Sequence, residues 1–141
     1  MRKPFALMAI AATLFGSAAF AQDRVGLDED ERINRALLSA SVSLGVARVC
    51  EAMEIRQFFG LIKALELRNY ARGLGYSDDE INDFINDPVQ QKRLERLAWR
   101  YMTSNGVRAG DAESHCALGR HEIERRSLSG RLLRDTGRGT Q

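Results

Sequence analysis

The stretch from Asp28 to Cys50, DEDERINRALLSASVSLGVARVC, decides the fold class. Four acidic residues, Asp28 to Glu31, stand where a helix N-terminus carries partial positive charge. Ile33, Leu37, Ala40, Leu44 and Ala47 then recur at spacings of three and four, which is the period of a helix with one apolar face. Extending that stripe by three residues reaches Cys50, so its thiol is expected to point into a core near the helix end.

Working outward, the same period predicts a second helix over about Glu54 to Arg72. Phe58, Leu61, Ile62 and Leu65 would form its inward face, and Arg56, Lys63, Glu66 and Arg68 its wet one. Gly73 and Gly75 end it, since glycine reaches the left-handed cap conformation at little steric cost. Ser77-Asp-Asp-Glu80 reads as a capping box opening a third helix, with Tyr76 able to pack on Ile81. The run lacks the glycine and the acidic spacing of a calcium loop. Asp87-Pro88 caps a fourth helix from Pro88 to about Ser104, with Leu94, Leu97, Ala98 and Tyr101 along one side and Asn105-Gly106 at its end. Asp111 caps a fifth from Ala112 to about Arg126, whose stripe is Ala112, Cys116, Gly119 and Ile123. Gly119 weakens such a helix by ~1 kcal/mol relative to Ala, which points to a backbone packed closely against it. Ser127 to Arg134 is expected to add a turn that lays Leu128, Leu132 and Leu133 on the core. No strand pattern is apparent.

Upstream, Arg2 and Lys3 precede an uncharged apolar run from Phe5 to Phe20, and Ala19-Phe-Ala21 has the small-x-small form read by a signal peptidase. Residues 1–21 are therefore expected to be a cleaved signal peptide, and Gln22 the first residue of a soluble periplasmic or secreted protein. No second apolar run is long enough to span a bilayer. Removing the leader from 141 residues leaves 120, enough for a single domain. It also removes two of the 21 basic residues, so 19 remain against 19 acidic ones and the basic balance disappears. Composition thus gives no argument for nucleic acid. Arginine dominates the remaining cations, Lys63 and Lys92 being the only lysines. A general preference for arginine explains this more simply than a dedicated docking role, although arginine does suit bidentate ion pairs.

Cys50 and Cys116 are the only cysteines. An even count in an exported chain, far from a Cys-x-x-Cys arrangement, predicts a structural disulfide between them. Closing so long a loop stabilises a fold by about 4 kcal/mol on the chain-entropy account.

Residues that could carry chemistry have simpler structural readings. His115 and His121 are six apart, which leaves their rings about 120° from overlay on a helix, and a helical metal pair prefers three or four. They read as surface or capping histidines, and His115 beside Cys116 makes no nucleophile and base pair, because helix neighbours diverge. Any two of Glu54, Glu66 and Glu80 could be offered as a glycosidase pair, but each adjoins a helix end or an arginine. Trp99 lies off its helix stripe, a mild docking signal outweighed by a half-buried packing role. There is no phosphate loop, nucleophile elbow or Ser-x-x-Lys. No catalytic residue, metal ligand or cofactor site is assigned.

Three segments, Gly73 to Ile81, Cys116 to Ile123 and Ser129 to Leu133, together resemble an uncharacterised family of small exported alphaproteobacterial proteins known as a domain of unknown function. The resemblance runs from about Glu29 to Leu133 and supplies no catalytic residues. It implies genes that lie near those of the respiratory NADH dehydrogenase, a matter of neighbourhood and not of activity, and association with an envelope or respiratory complex is expected on that ground. The expected product is all-α, a compact bundle of about four to five helices with one disulfide. Its expected layout is a flexible N-terminus at 22–28, one helical domain at 29–134 and a disordered tail at 135–141. The expected function is that of a non-enzymatic periplasmic binding or accessory protein with a protein partner in the cell envelope. An acid-stress chaperone is the alternative from another class, because acid would neutralise the carboxylates and leave the arginines uncompensated. A small hydrolase is a third reading, one that requires a deep polar cleft.

Overall fold

The first helix starts where its acidic lead-in places it: Asp30 adopts an extended backbone and its side chain accepts from the Ile33 amide at 2.9 Å. In a computed structural model that describes residues 24–138, this helix, α1 (Glu31–Val49), is the axis of the molecule. The chain continues through β1 (Met53–Ile55), α2 (Gln57–Gly73), α3 (Asp78–Asn86), α4 (Pro88–Ser104), α5 (Ala112–Glu124), α6 (Leu128–Leu132) and β2 (Leu133–Asp135). The fold is all-α, apart from one small ribbon. Ala19 and Ala21, with the rest of the leader and Gln22, lie outside the described residues, as do residues 139–141.

Local chemistry sets most boundaries. Ser77 and Glu80 exchange the two bonds of a capping box, from the Glu80 amide to Ser77 Oγ at 3.2 Å and from the Ser77 amide to Glu80 Oε2 at 2.7 Å. Asp87 caps α4 through the Val89 amide, with Pro88 in the first turn. Asp111 and Ser127 cap α5 and α6.

The ribbon corrects the strand-free reading. Glu54, read as the start of the second helix, lies in β1, where Met53, Glu54 and Ile55 oppose Asp135, Arg134 and Leu133 in antiparallel register. Three residues are too few to show a period of two in sequence, and the pairing is between segments about eighty residues apart, so only the folded chain reveals it. Thr136 extends the contact by donating its amide to the Ala52 carbonyl at 2.8 Å. At the other terminus, Arg24 is 2.7 Å from Glu80 and stacks on Tyr76, the Tyr76 hydroxyl donates to the Val25 carbonyl, and Leu27 is buried.

Packing forms two clusters that share α1. The larger gathers Val42, Val46, Cys50, Met53, Met102 and Leu118 around the Cys50–Cys116 disulfide, whose Cα atoms are 5.2 Å apart. The smaller gathers Leu27, Ile33, Ala71 and Ile81, with Tyr76 packed against it as a staple on α3. Because α4, α5 and α6 all pack on α1, its burial is not confined to one stripe. Val42, Ser43 and Val46 are the most deeply enclosed positions of α1, and Leu44 of the expected stripe is exposed.

Two glycines sit at close contacts, and Gly119 differs from expectation. A Cβ on Gly119 would meet the side chains of Met53 and Val46 at about 3.0 Å, so its close neighbours are side chains and not the backbone inferred from sequence. Backbone approaches instead at Gly130, where an added Cβ would overlap the Glu122 carbonyl and the Ile123 amide nitrogen. This contact locks α6 onto α5 and gives the Ser129 to Leu133 segment a physical requirement for glycine.

Replacing both Cys50 and Cys116 with Ser is expected to lower the unfolding free energy by about 4 kcal/mol in urea titrations. Gly130→Ala, which forces backbone against backbone with no rotamer to relieve it, is expected to cost about 3 kcal/mol or more. An alanine variant with wild-type stability would show that α6 shifts freely on α5.

Candidate functional site

The second helix reverses its expected orientation. Phe58, Leu61, Ile62 and Leu65, read as the inward face of α2, are exposed, Phe58 to 78 % and Leu61 to 57 %, and Ala71 in the last turn is the buried residue of this helix. Periodicity identifies which side of a helix is apolar, but coverage depends on what the rest of the chain brings to that side. Here nothing among the described residues covers it.

The exposed face borders a groove of about 1030 Å³ between α1 and α2. Ile33, Leu37, Ala40 and Leu44, the stripe read from the opening stretch, form the α1 wall, and Leu61, Ala64, Leu65 and Ala71 form the α2 wall. Ile81, Phe84 and Ile85 of α3 close one end, while Leu128 and Leu132 of α6 line the other. Ile33 and Ala71 share a cluster at the first end, and at the second α6 reaches both helices, through Ser43 Oγ donating to the Ser129 carbonyl at 2.9 Å and Leu132 lying beside Gly60. The walls therefore run antiparallel. From Ile33 to Leu44 the groove extends about 16 Å at ~1.5 Å per helical residue.

Its two ends differ in charge. At the α3 end arginines and carboxylates interleave: Arg68 and Arg72 share Asp78 at 3.0 and 2.8 Å, Arg24 pairs with Glu80, and Asp79 adds a further carboxylate in the same turn. The hydrogen bond from Arg72, with that from Arg68, holds the Asp78 carboxyl below its usual range, and the one from Arg24, with the Ser77 amide, brings Glu80 down from 4.5 to about 2. Tyr70 donates to Asp30 at 3.1 Å with Arg32 stacked over its ring, and the bond to Asp30, together with desolvation, pushes its hydroxyl up.

At the α6 end Arg56, Arg131 and Lys63 surround the ring of Phe59 at 5.0, 5.3 and 5.5 Å from its centroid. Lys63 pairs with Glu66 at 2.6 Å, whereas Arg56 and Arg131 make no ion pair among the described residues. Arg56 is also the N-cap of α2, makes no side-chain cap bond, and is followed by a first turn without an acidic residue. That signal was available in Arg56-Gln-Phe-Phe59, a helix start with no capping side chain, and passed unread.

The individually weighed residues are dispersed. Glu54 pairs with Arg134 and Arg138, Glu66 with Lys63 and Glu80 with Arg24, so each carboxylate already has a cation. His121 is exposed, but His115, read as a surface or capping residue, is only 2 % exposed, with Nδ1 2.7 Å from the Asp111 carbonyl. Burial of the α5 face that carries Ser114 and Leu118 takes it inward. Trp99 is 43 % exposed, in keeping with a half-buried packing role. Among the described residues no three His, Cys, Asp or Glu side chains converge as a metal site.

Glu122 escaped the sequence reading altogether, since a carboxylate in Arg-His-Glu-Ile looks like a wet-face residue. It is 1 % exposed and bridges three elements: the Tyr101 hydroxyl of α4 donates to Oε1 at 2.6 Å, and the Ser127 hydroxyl at the α6 cap donates to Oε2. Burial, with the bond to Glu122, pushes the Tyr101 hydroxyl up. A cavity of about 240 Å³ adjoins this network, but both carboxyl oxygens are already engaged, which suits a structural clamp.

No helix among the described residues is long and apolar enough to cross a membrane. No curated protein and no solved structure matches the chain. The segments from Gly73, Cys116 and Ser129, which carry the capping box, one half of the disulfide and the Gly130 contact, all lie inside residues 25–134, which match a family model, and the chain thus belongs to the family of unknown function DUF5333.

Proposed function

We propose that this protein is a non-catalytic binding or accessory protein of the cell envelope, held to an envelope or respiratory complex through the groove between α1 and α2. The observation that carries this reading is the exposed Phe58, Leu61, Ile62 and Leu65 face beside an apolar groove, in a chain with a disulfide-braced core elsewhere. A continuous apolar surface of this kind costs solubility and is retained where something binds it. Export, inferred from Arg2, Lys3 and the run to Ala21, and oxidation of Cys50 and Cys116 suit the periplasm. Few polar groups converge in the groove, which supports binding over hydrolysis.

A photo-crosslinking residue at Leu61 or Leu65 is expected to give a discrete adduct in intact cells, and one at Arg100 on α4, outside the groove, is expected to give none. Leu44→Glu, at a half-exposed wall position, should abolish the adduct while changing stability by no more than about 0.5 kcal/mol. Equal adducts from Leu61 and Arg100 would sink the reading.

The acid chaperone remains the second reading, favoured by one observation: α3, which closes one end of the groove, is held by carboxylates with depressed pKa values, Asp78 and Glu80. A depressed carboxylate stabilises the fold fully above its unfolded pKa, and that stabilisation is lost as pH falls through the folded value. For Glu80 the window runs from 4.5 down to about 2, so α3 is expected to loosen across that range, as read by amide exchange of Ile81 to Ile85. Suppression of client aggregation only within this window would favour the chaperone. Loosening without suppression would leave the accessory role.

A further inference from the structure

We infer that the groove seats a three-turn amphipathic helix of a partner protein, oriented by acidic side chains at the end that meets Arg56 and Arg131. This rests on the binding reading above and adds the chemistry and direction of the guest.

Shape gives the first part. Two antiparallel helices with an apolar trough of about 16 Å between them offer the space of a missing third helix, and that length accommodates about three turns. Leu61 and Leu65 lie on the trough wall, while Phe58 and Ile62 continue the apolar surface beyond it at spacings of three and four. A single acyl chain lying in the trough would leave Phe58 and Ile62 wet. A helix whose side chains splay to both sides covers them, as in other helix-in-groove complexes.

Charge gives the second part. At the α3 end Arg24, Arg32, Arg68 and Arg72 stand among as many carboxylates, Asp30, Asp78, Asp79 and Glu80, so that end has little residual field. At the α6 end Arg56 and Arg131 are unmatched among the described residues, and Phe59 holds both guanidinium groups over its ring. Arg56 Nη1 donates to the Arg131 backbone carbonyl at 3.2 Å, which ties the Arg56 side chain to α6. The uncapped α2 N-terminus adds partial positive charge at the same place. Carboxylates on the guest therefore complement one end of the groove and not the other, and fix its direction.

The test uses the mature chain and two labelled four-turn model peptides with leucines at helical spacing, one with glutamates in a terminal turn and one with lysines there. Fluorescence anisotropy is expected to show the glutamate peptide binding about tenfold more tightly at low salt, as two partly exposed ion pairs allow. Arg56→Glu with Arg131→Glu should abolish or invert that preference, and Leu61→Glu with Leu65→Glu should remove binding of both peptides. Circular dichroism checks that each variant is folded, and Arg56→Gln with Arg131→Gln gives a milder charge change. Equal affinities, still lost on Leu61→Glu, would overturn the inference and leave the groove reading intact. Binding indifferent to Leu61→Glu would overturn both. Failure of both peptides, displacement of the glutamate peptide by dodecanoate at concentrations where it is monomeric, or self-association abolished by Leu61→Glu would each overturn the inference, the last two in favour of an acyl ligand or a second copy.

Discussion

The disulfide between Cys50 and Cys116 joins the end of the central helix to the middle of α5 within the larger cluster. Around it Val46, Met53 and Leu118 meet, and Gly119 leaves room for Met53 to lie across α5. The chain turns immediately after Cys50, so the bond also places β1 beside β2 and brings the C-terminal segment back over the start of α2. In a chain this short a single crosslink over a long loop is a large part of the stability a domain normally has.

With that corner braced, the rest of the assembly depends on a few polar and backbone contacts. Glu122 ties α4, α5 and the α6 cap through two hydroxyl donors, and Gly130 brings α6 to the backbone of α5. Such a network is specific because each buried oxygen must be satisfied, and it tolerates little displacement. Its product is a rigid second end for the groove, where α6 meets Ser43 and Gly60. The opposite end is held differently, by ion pairs at the surface around Arg24, Asp78 and Glu80, which acid weakens. The two ends thus differ in how firmly they are fixed as well as in charge.

The groove and the disulfide-braced cluster are separated in space. Apolar residues of α1 that face α4 and α5 are enclosed, whereas those that face α2 line an open groove. Placing the brace away from the groove allows the exposed wall to vary, because a change at Leu61 or Leu65 removes little packing within the chain.

Much of the fold was legible in sequence because its signals are local. The capping box at Ser77, Asp87-Pro88, Asp111 and the glycines after Arg72 depend on neighbours within one turn, and they mark the helices they were read to mark. The disulfide followed from the count of cysteines and from the expectation of export, both of which are read from the chain and not from its shape. What only the tertiary structure decided is where each apolar face goes. Phe58, Leu61, Ile62 and Leu65 have the period of an inward face, and Glu122 the composition of an outward one, yet the structure exchanges them. Periodicity records how a helix divides its own surface between apolar and polar. Burial depends on which other segments arrive there, and those contacts, like the pairing of Met53–Ile55 with Leu133–Asp135, link residues too distant in sequence for any local pattern to encode.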